Sequence, residues 1–184
     1  MKKSPLIKYP KFLLLFITYL IAYLLFYQRT YPPFHDFVIS LGYGGTFIVG
    51  ALFAYGFTSA PATAILLILA KEQNILLAGL IAGFGALVSD LIIFNFIRHS
   101  FADEIERLSK EKAVLYINHK TPNIFKKYLL PVVAGFIIAS PLPDEIGVSL
   151  LAVSKNISMK IFSVISYMLN TAGIFVILMI GSAL

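Results

Sequence analysis

Three carboxylates stand inside otherwise apolar sequence, and the chemistry open to them there is the binding of a proton or a cation. Asp144 and Glu145 lie in "SPLPDEIG", residues 140–147, between the apolar runs "LLPVVAGFIIA" and "VSLLAV". Asp90 closes "GALVSD" within a long apolar block. An ionisable side chain at membrane depth is expensive, so such a residue is a functional-site hypothesis by default. Two adjacent carboxylates repel, and one of the pair then tends to hold its proton, as a proton- or cation-coupled site requires. Asp144 also follows a proline and opens an apolar arm, so capping a helix N-terminus is a competing role for it. Asp90 is placed either to pair with Arg98 at the end of its block or to face a cavity. Asn170, within the last apolar block, is a helix-to-helix polar contact or a cavity-lining group. Arg98 and His99 open a basic stretch and read as a positive flank or a phosphate-headgroup contact.

Other chemistries lack their residues. The chain has no cysteine, which removes disulfides, thiolate metal sites and cysteine nucleophiles. His35, His99 and His119 are scattered without metal-ligand spacing. Gly42, Gly44, Gly45, Gly50 and Gly56 follow no strand and precede no Lys-Ser/Thr pair, so they are not a phosphate loop. They read as aids to close helix approach, with Gly44–Gly45 marking a kink. No nucleophile is matched to a base. The expectation is a protein that is not an enzyme and carries no cofactor or metal.

The elements that must position these groups follow from composition. Of 184 residues, 59% are apolar and only 13% charged, against roughly 25% charged in a soluble domain, and the mean hydropathy is +0.86. This composition predicts an all-α integral membrane protein in one domain. "FLLLFITYLIAYLLFY" (12–27) follows a basic stretch and reads as a retained transmembrane helix, since no small-residue cleavage site comes after it. Residues 37–70 are apolar but interrupted by Pro61, and the arm after that proline is far short of the roughly 20 residues a crossing needs. Residues 75–97 are long enough to span. Residues 98–127 are polar, with Ile105, Leu108, Lys112 and Leu115 at helical spacing, and read as an amphipathic surface segment. Residues 128–153 are again short arms broken by Pro141 and Pro143, and 159–180 form a second full-length span.

The two halves follow one plan. A shift of 82 positions sets Pro61 on Pro143, Leu69 and Ala70 on Leu151 and Ala152, and Asn74 on Asn156. Paired, proline-interrupted short segments point to an inverted repeat of discontinuous helices around a binding site near mid-membrane. Charge bears on whether these segments cross or turn back. If both are re-entrant and the N-terminus is cytoplasmic, thirteen of the fifteen Lys and Arg residues fall inside and only Arg29 and Lys71 outside. If 37–70 crosses instead, the basic stretch from Arg98 to Lys127 lands outside. The fold expected is thus two proline-bearing re-entrant hairpins of opposite orientation, each followed by a transmembrane helix, plus an N-terminal transmembrane helix.

With "GFGALVSDLIIFNFIR" after the first broken segment and "SPLPDE" in the second, residues 41–181 resemble the DedA family, also described as the VTT or SNARE-associated Golgi protein domain. In that family a glycine and small-residue stretch leads to an acid after the first hairpin, which matches Asp90. Its prolines flanked by acids match Pro141, Pro143, Asp144 and Glu145. The first hairpin here, "TSAPATA", offers Ser59, Pro61 and Thr63 but no carboxylate, and the second lacks the arginine that usually follows the prolines in bacterial members. The resemblance implies movement of a phospholipid or polyprenyl-phosphate carrier across the bilayer, coupled in some members to protons.

The functional expectation is a small transporter or lipid-translocating protein, flippase- or scramblase-like. Its ion- or substrate-binding residues are Asp144, Glu145, Asp90, Pro141, Pro143, Pro61, Ser59, Thr63, Arg98 and Asn170. Its partners are membrane lipids, including anionic phospholipid or polyprenyl phosphate, with a proton or monovalent cation and no nucleic acid. A dimer and a self-sufficient monomer are equally compatible with the sequence. The location expected is the cytoplasmic membrane of a prokaryote. The opposing reading is a non-catalytic scaffold or membrane-biogenesis partner in which the hairpins only shape the bundle.

Overall fold

The computed structural model describes residues 10–100, 148 and 157–184. The expected surface segment (98–127) beyond Ser100, and the second broken segment (128–153) apart from Val148, lie outside the described residues. Among the described residues all regular structure is helical: α1 (Pro10–Tyr27), a 3-10 turn (Gln28–Thr30), α2 (Pro32–Ser40), α3 (Gly42–Phe53), α4 (Ser59–Leu69), α5 (Ile75–Ser100) and α6 (Met159–Ala183).

Two of these helices, α5 and α6, are long and apolar enough to cross a membrane. With 26 and 25 residues they extend about 39 and 37 Å at ~1.5 Å per residue, beyond a hydrocarbon core of ~30 Å. The helix α4, with 11 residues, reaches only about 16 Å. The pair α2 and α3 is bent by 92°. The sharp bend falls at Leu41–Gly42, not at Gly44–Gly45, and Gly42 alone among the described residues has a positive φ, +54°. A residue without Cβ enters that left-handed region freely, which is why the turn sits there.

Local chemistry ends each helix. Asn74 Oδ1 accepts from the Leu77 amide at 3.1 Å, capping α5 right after the polar "KEQN" stretch. Ser158 Oγ accepts from the Ile161 amide at 3.3 Å and caps α6. Between α3 and α4 the Thr58 hydroxyl donates to the Leu52 carbonyl at 2.6 Å, beside the Tyr55 amide that donates to the same oxygen at 3.2 Å. Pro61 is the third residue of α4, where a missing N–H costs no intrahelical bond.

The chain from α2 to α4 leaves one end of the bundle and comes back to it. Thr46 in α3 donates to Gln73 Oε1 at 2.7 Å, and His35 Nε2 lies 3.9 Å from Glu72 Oε1. At the opposite extreme of the segment, Ser89 of α5 donates to the Ala51 carbonyl at 2.9 Å. Its two ends therefore meet, and its turn lies beside α5, one residue from Asp90.

Small residues line the closest helix contacts, and many large side chains face outward. The inner face of α5 carries Ala78, Ala82 and Ala86, all fully buried, while Leu76, Leu80, Phe84, Ile92 and Phe96 are exposed. On α6, Ser166, Asn170, Ile174 and Leu178 are fully buried and Val164, Met168, Val176 and Met179 exposed. Lipid is as apolar as leucine, so helices in a bilayer associate by close backbone approach and not by burying large side chains. The contact of α3 with α5 is the tightest case. A Cβ on Gly50 would strike the backbone of Ala82, and one on Gly85 would strike the Phe47 carbonyl. Helix α1 packs chiefly on α4, and α2 covers α4 with Val38 and Phe34 against Ile68 and Leu69.

These contacts predict opposite outcomes for two glycines of one helix. Gly50→Ala should destabilise the protein by about 1–3 kcal/mol, because a backbone cannot yield as a side chain can. Gly44→Ala, whose Cβ meets nothing within 4 Å, should stay within about 0.5 kcal/mol of the parent. Reversible unfolding in mixed micelles measures both, and equal losses would refute the assigned interface.

Candidate functional site

Asp90 is fully buried on α5, facing α6. It stands about 22 Å along its helix from Ile75 and about 15 Å from Ser100, at ~1.5 Å per residue, well inside both ends. Ser166 Oγ donates to Asp90 Oδ2 at 2.7 Å. Asn170 Nδ2 donates to the same oxygen at 2.8 Å. Both donors come from one face of α6, since residues four apart in a helix stack one above the other. Ser166 and Asn170 are themselves 3.5 Å apart, so the three side chains form one buried polar cluster. The cluster exists because α5 and α6 approach closely: a Cβ on Gly83 would strike the Thr171 side chain.

Two further oxygens belong to this layer. Asn170 Oδ1 and Thr171 Oγ1 are buried and have no hydrogen-bond partner among the described residues. Buried polar atoms are satisfied in the great majority of cases, so each such atom calls for a ligand or water. Together with the Asp90 carboxylate they are the kinds of oxygen donor that a proton, a water or a hard monovalent cation uses. Among the described residues, no group of three His, Cys, Asp or Glu side chains could hold a metal ion.

Arg98 does not pair with Asp90. Its Nη1 donates to the Ile157 carbonyl at 3.0 Å, and its guanidinium sits 5.2 Å from the centre of the Phe94 ring. Phe94 in turn stacks on Phe162 with ring centres 4.2 Å apart. Val148 and Ile157 complete a buried cluster with these two rings. Arg98 thus ties the end of α5 to the start of α6.

The remaining sequence-derived candidates divide by position. Ser59 is buried at the start of α4, and its carbonyl accepts from the Thr63 hydroxyl at 2.8 Å. Thr63 lies on the side of α4 that faces α1, in a cleft with Tyr19, Ala22, Ala60 and Ala64. Pro61 is half-buried in the first turn of α4. Asp144, Glu145, Pro141 and Pro143 lie outside the described residues. The structure therefore joins Asp90 to Asn170 directly, and it adds Ser166, Thr171 and Ser89, which the sequence reading passed over. The signal for Ser166 was its spacing: it lies four residues before Asn170 in the same apolar span.

The chain matches no protein-family model, no curated protein and no solved structure.

A double-mutant cycle tests the cluster. Asp90→Asn and Asn170→Ala should each destabilise, with a coupling energy of about 0.6–1.7 kcal/mol, the range for interhelical polar pairs in membranes. Additive losses in an unfolding titration would show that the two side chains do not interact.

Proposed function

We propose that this protein is a small transporter or lipid-translocating protein of the DedA type, moving a phospholipid or polyprenyl-phosphate carrier with coupling to a proton or monovalent cation. The observation that carries the reading is the burial of the Asp90 carboxylate deep within one membrane-length helix, where Ser166 and Asn170 of the other donate to it. A carboxylate there is costly to keep unless its charge, or its loss of charge, is used. Supporting it is the path of α2 to α4, which turns beside Ser89 and returns to the end it left. In this reading that segment is a re-entrant hairpin, and irregular backbone at such depth is tolerated where protein or a wet cavity surrounds it.

The roles divide as follows. Asp90, set by Ser166 and Asn170, takes up and releases the coupling ion, and the oxygens of Asn170 and Thr171 supply further acceptors. Asp144 and Glu145, in the second proline-broken segment, form the other acidic station. The N-terminus and the basic stretch after Arg98 are cytoplasmic, and Arg29 and Lys71 lie on the opposite face.

A scaffold role has one observation in its favour: the same Asp90–Ser166–Asn170 contact is also a staple between α5 and α6. Flux separates the two. In proteoliposomes with a pH gradient, Asp90→Asn should lower movement of a labelled anionic phospholipid at least about tenfold, or about 1.4 kcal/mol, and Asp144→Asn with Glu145→Gln should do the same. Flux is compared per folded protein, so the stability lost with Asp90→Asn does not enter it. Loss of yield at undiminished specific flux would establish the scaffold instead.

Topology has its own check, made clean by the absence of native cysteine. Arg29→Cys and Lys71→Cys, which flank the segment, should react with an impermeant thiol reagent from the same side of sealed vesicles. Labelling of the two from opposite sides would eliminate the re-entrant hairpin.

A further inference from the structure

The flank of the bundle formed by α1 and α4 carries a second feature, remote from Asp90. At the end of the bundle where α1 stops and α4 returns, a cleft of about 320 Å³ is lined by Arg29, His35, Asp36 and Lys71 over an apolar floor that includes Phe26 and Leu67. A second cleft of about 320 Å³ runs between α1 and α4, lined by Tyr19, Ala22, Phe26, Ala60, Thr63, Ala64 and Leu67. Phe26 and Leu67 belong to both. The two clefts are therefore adjoining compartments, one polar and cationic, the other apolar.

The polar compartment carries both signs of charge, with its acids beside His35 and its two cations apart from it. His35 stands between two acids, with Nδ1 3.6 Å from Asp36 Oδ1 and Nε2 3.9 Å from Glu72 Oε1. Arg29 is held against the wall shared with the apolar cleft: its Nη1 donates to the Phe26 carbonyl at 3.2 Å, and its guanidinium lies 4.3 Å from the centre of the Phe26 ring. A guanidinium has five N–H donors in a planar fork, so one spent on a carbonyl leaves the others for a bidentate anion. Lys71 contributes a second cation to the same cleft.

The apolar compartment is deep enough to take much of an acyl chain. From Phe26 to Tyr19 α1 rises about 11 Å at ~1.5 Å per residue, against ~15 Å for half of a ~30 Å hydrocarbon core. Small residues on both walls, Ala22 on α1 and Ala60 and Ala64 on α4, leave the room that larger side chains would fill. A pocket bearing Arg29 and Lys71 joined to an apolar groove is complementary to an anionic amphiphile.

We propose that the Arg29–Lys71 cleft and the α1–α4 groove form one binding site for an anionic membrane lipid, its phosphate on Arg29 and Lys71 and one acyl chain along Ala22 and Ala60. The site needs only a membrane-embedded chain. It does not depend on transport through the Asp90 cluster, and the readout below is binding, so its failure and the failure of the transport reading are separate.

The test uses the full chain in neutral detergent, with phosphatidylglycerol, phosphatidylcholine of the same chains, and inorganic phosphate as probes, read by native mass spectrometry. Phosphatidylglycerol should bind at least about tenfold tighter than phosphatidylcholine, the difference expected when a charge-assisted hydrogen bond is gained. Arg29→Gln with Lys71→Gln should bring it down to the phosphatidylcholine level, and Arg29→Lys with Lys71→Arg should retain the preference. Ala22→Phe, which fills the groove, should weaken phosphatidylglycerol binding while the cations remain. Arg29 and Lys71 are exposed, so their substitution leaves the core intact, and circular dichroism verifies the helical content of every variant. Equal retention of the two lipids, or an unchanged preference in the Gln variant, overturns the proposal. So does displacement of phosphatidylglycerol by equimolar inorganic phosphate, which would reveal a free-phosphate site, or unaltered binding in Ala22→Phe.

Discussion

A bilayer interior supplies no hydrogen-bond partners, and this constraint governs every irregular feature of the chain. A polar atom at depth must be met by the protein itself. The Asp90 carboxylate is met by Ser166 and Asn170. The carbonyl of Leu52, where α3 stops, is met by the Tyr55 amide and the Thr58 hydroxyl, and the Ala51 carbonyl by Ser89. Two of these contacts, at Asp90 and at Ala51, involve consecutive residues of α5. That helix is therefore both the longest described element and the surface on which the broken segment and α6 find their partners.

Such contacts demand short distances between backbones, and the distribution of residue sizes provides them. Alanines at 78, 82 and 86 and glycines at 50 and 85 bring α3 against α5. Large side chains such as Phe84, Phe96 and Met168 are left on the outside. In water this arrangement would expose a large apolar surface, a liability for any soluble protein. In lipid it is the economical one, because the outside is where bulk costs nothing and the inside is where it would keep polar groups out of reach.

The legible part of this architecture was what depends on composition and local periodicity. An all-helical chain with two spans could be read from run lengths, and the polar stretch ending in Asn74 announced the cap of α5 because capping needs only one side chain and its neighbours. What depends on three dimensions was not legible. The kink was expected at Gly44–Gly45, since two glycines in a row weaken a helix most; the backbone bends at Gly42 instead, where only the φ value makes a glycine necessary. Asp90 and Asn170 each stood out as polar residues within apolar blocks. Their contact could not be read, because pairing two helices fixes a rotation and a register that neither sequence contains alone. Ser166 escaped notice for a related reason: a hydroxyl satisfies itself so readily within its own helix that its presence in a span carries little signal.

The order of synthesis gives the packing of α4 another meaning. Ala62, Leu66 and Ala70 of this short helix are buried in a cluster with residues of α5 and α6, yet the ribosome delivers α4 before either. Until α5 arrives, the Ala51 carbonyl has no Ser89, and until α6 arrives, Asp90 lacks Ser166 and Asn170. The first seventy residues thus enter the membrane region as a structure awaiting its own shelter. Assembly of this small protein is consequently a problem of timing as much as of stability, with α1, α2 and α3 the early neighbours against which α4 can rest.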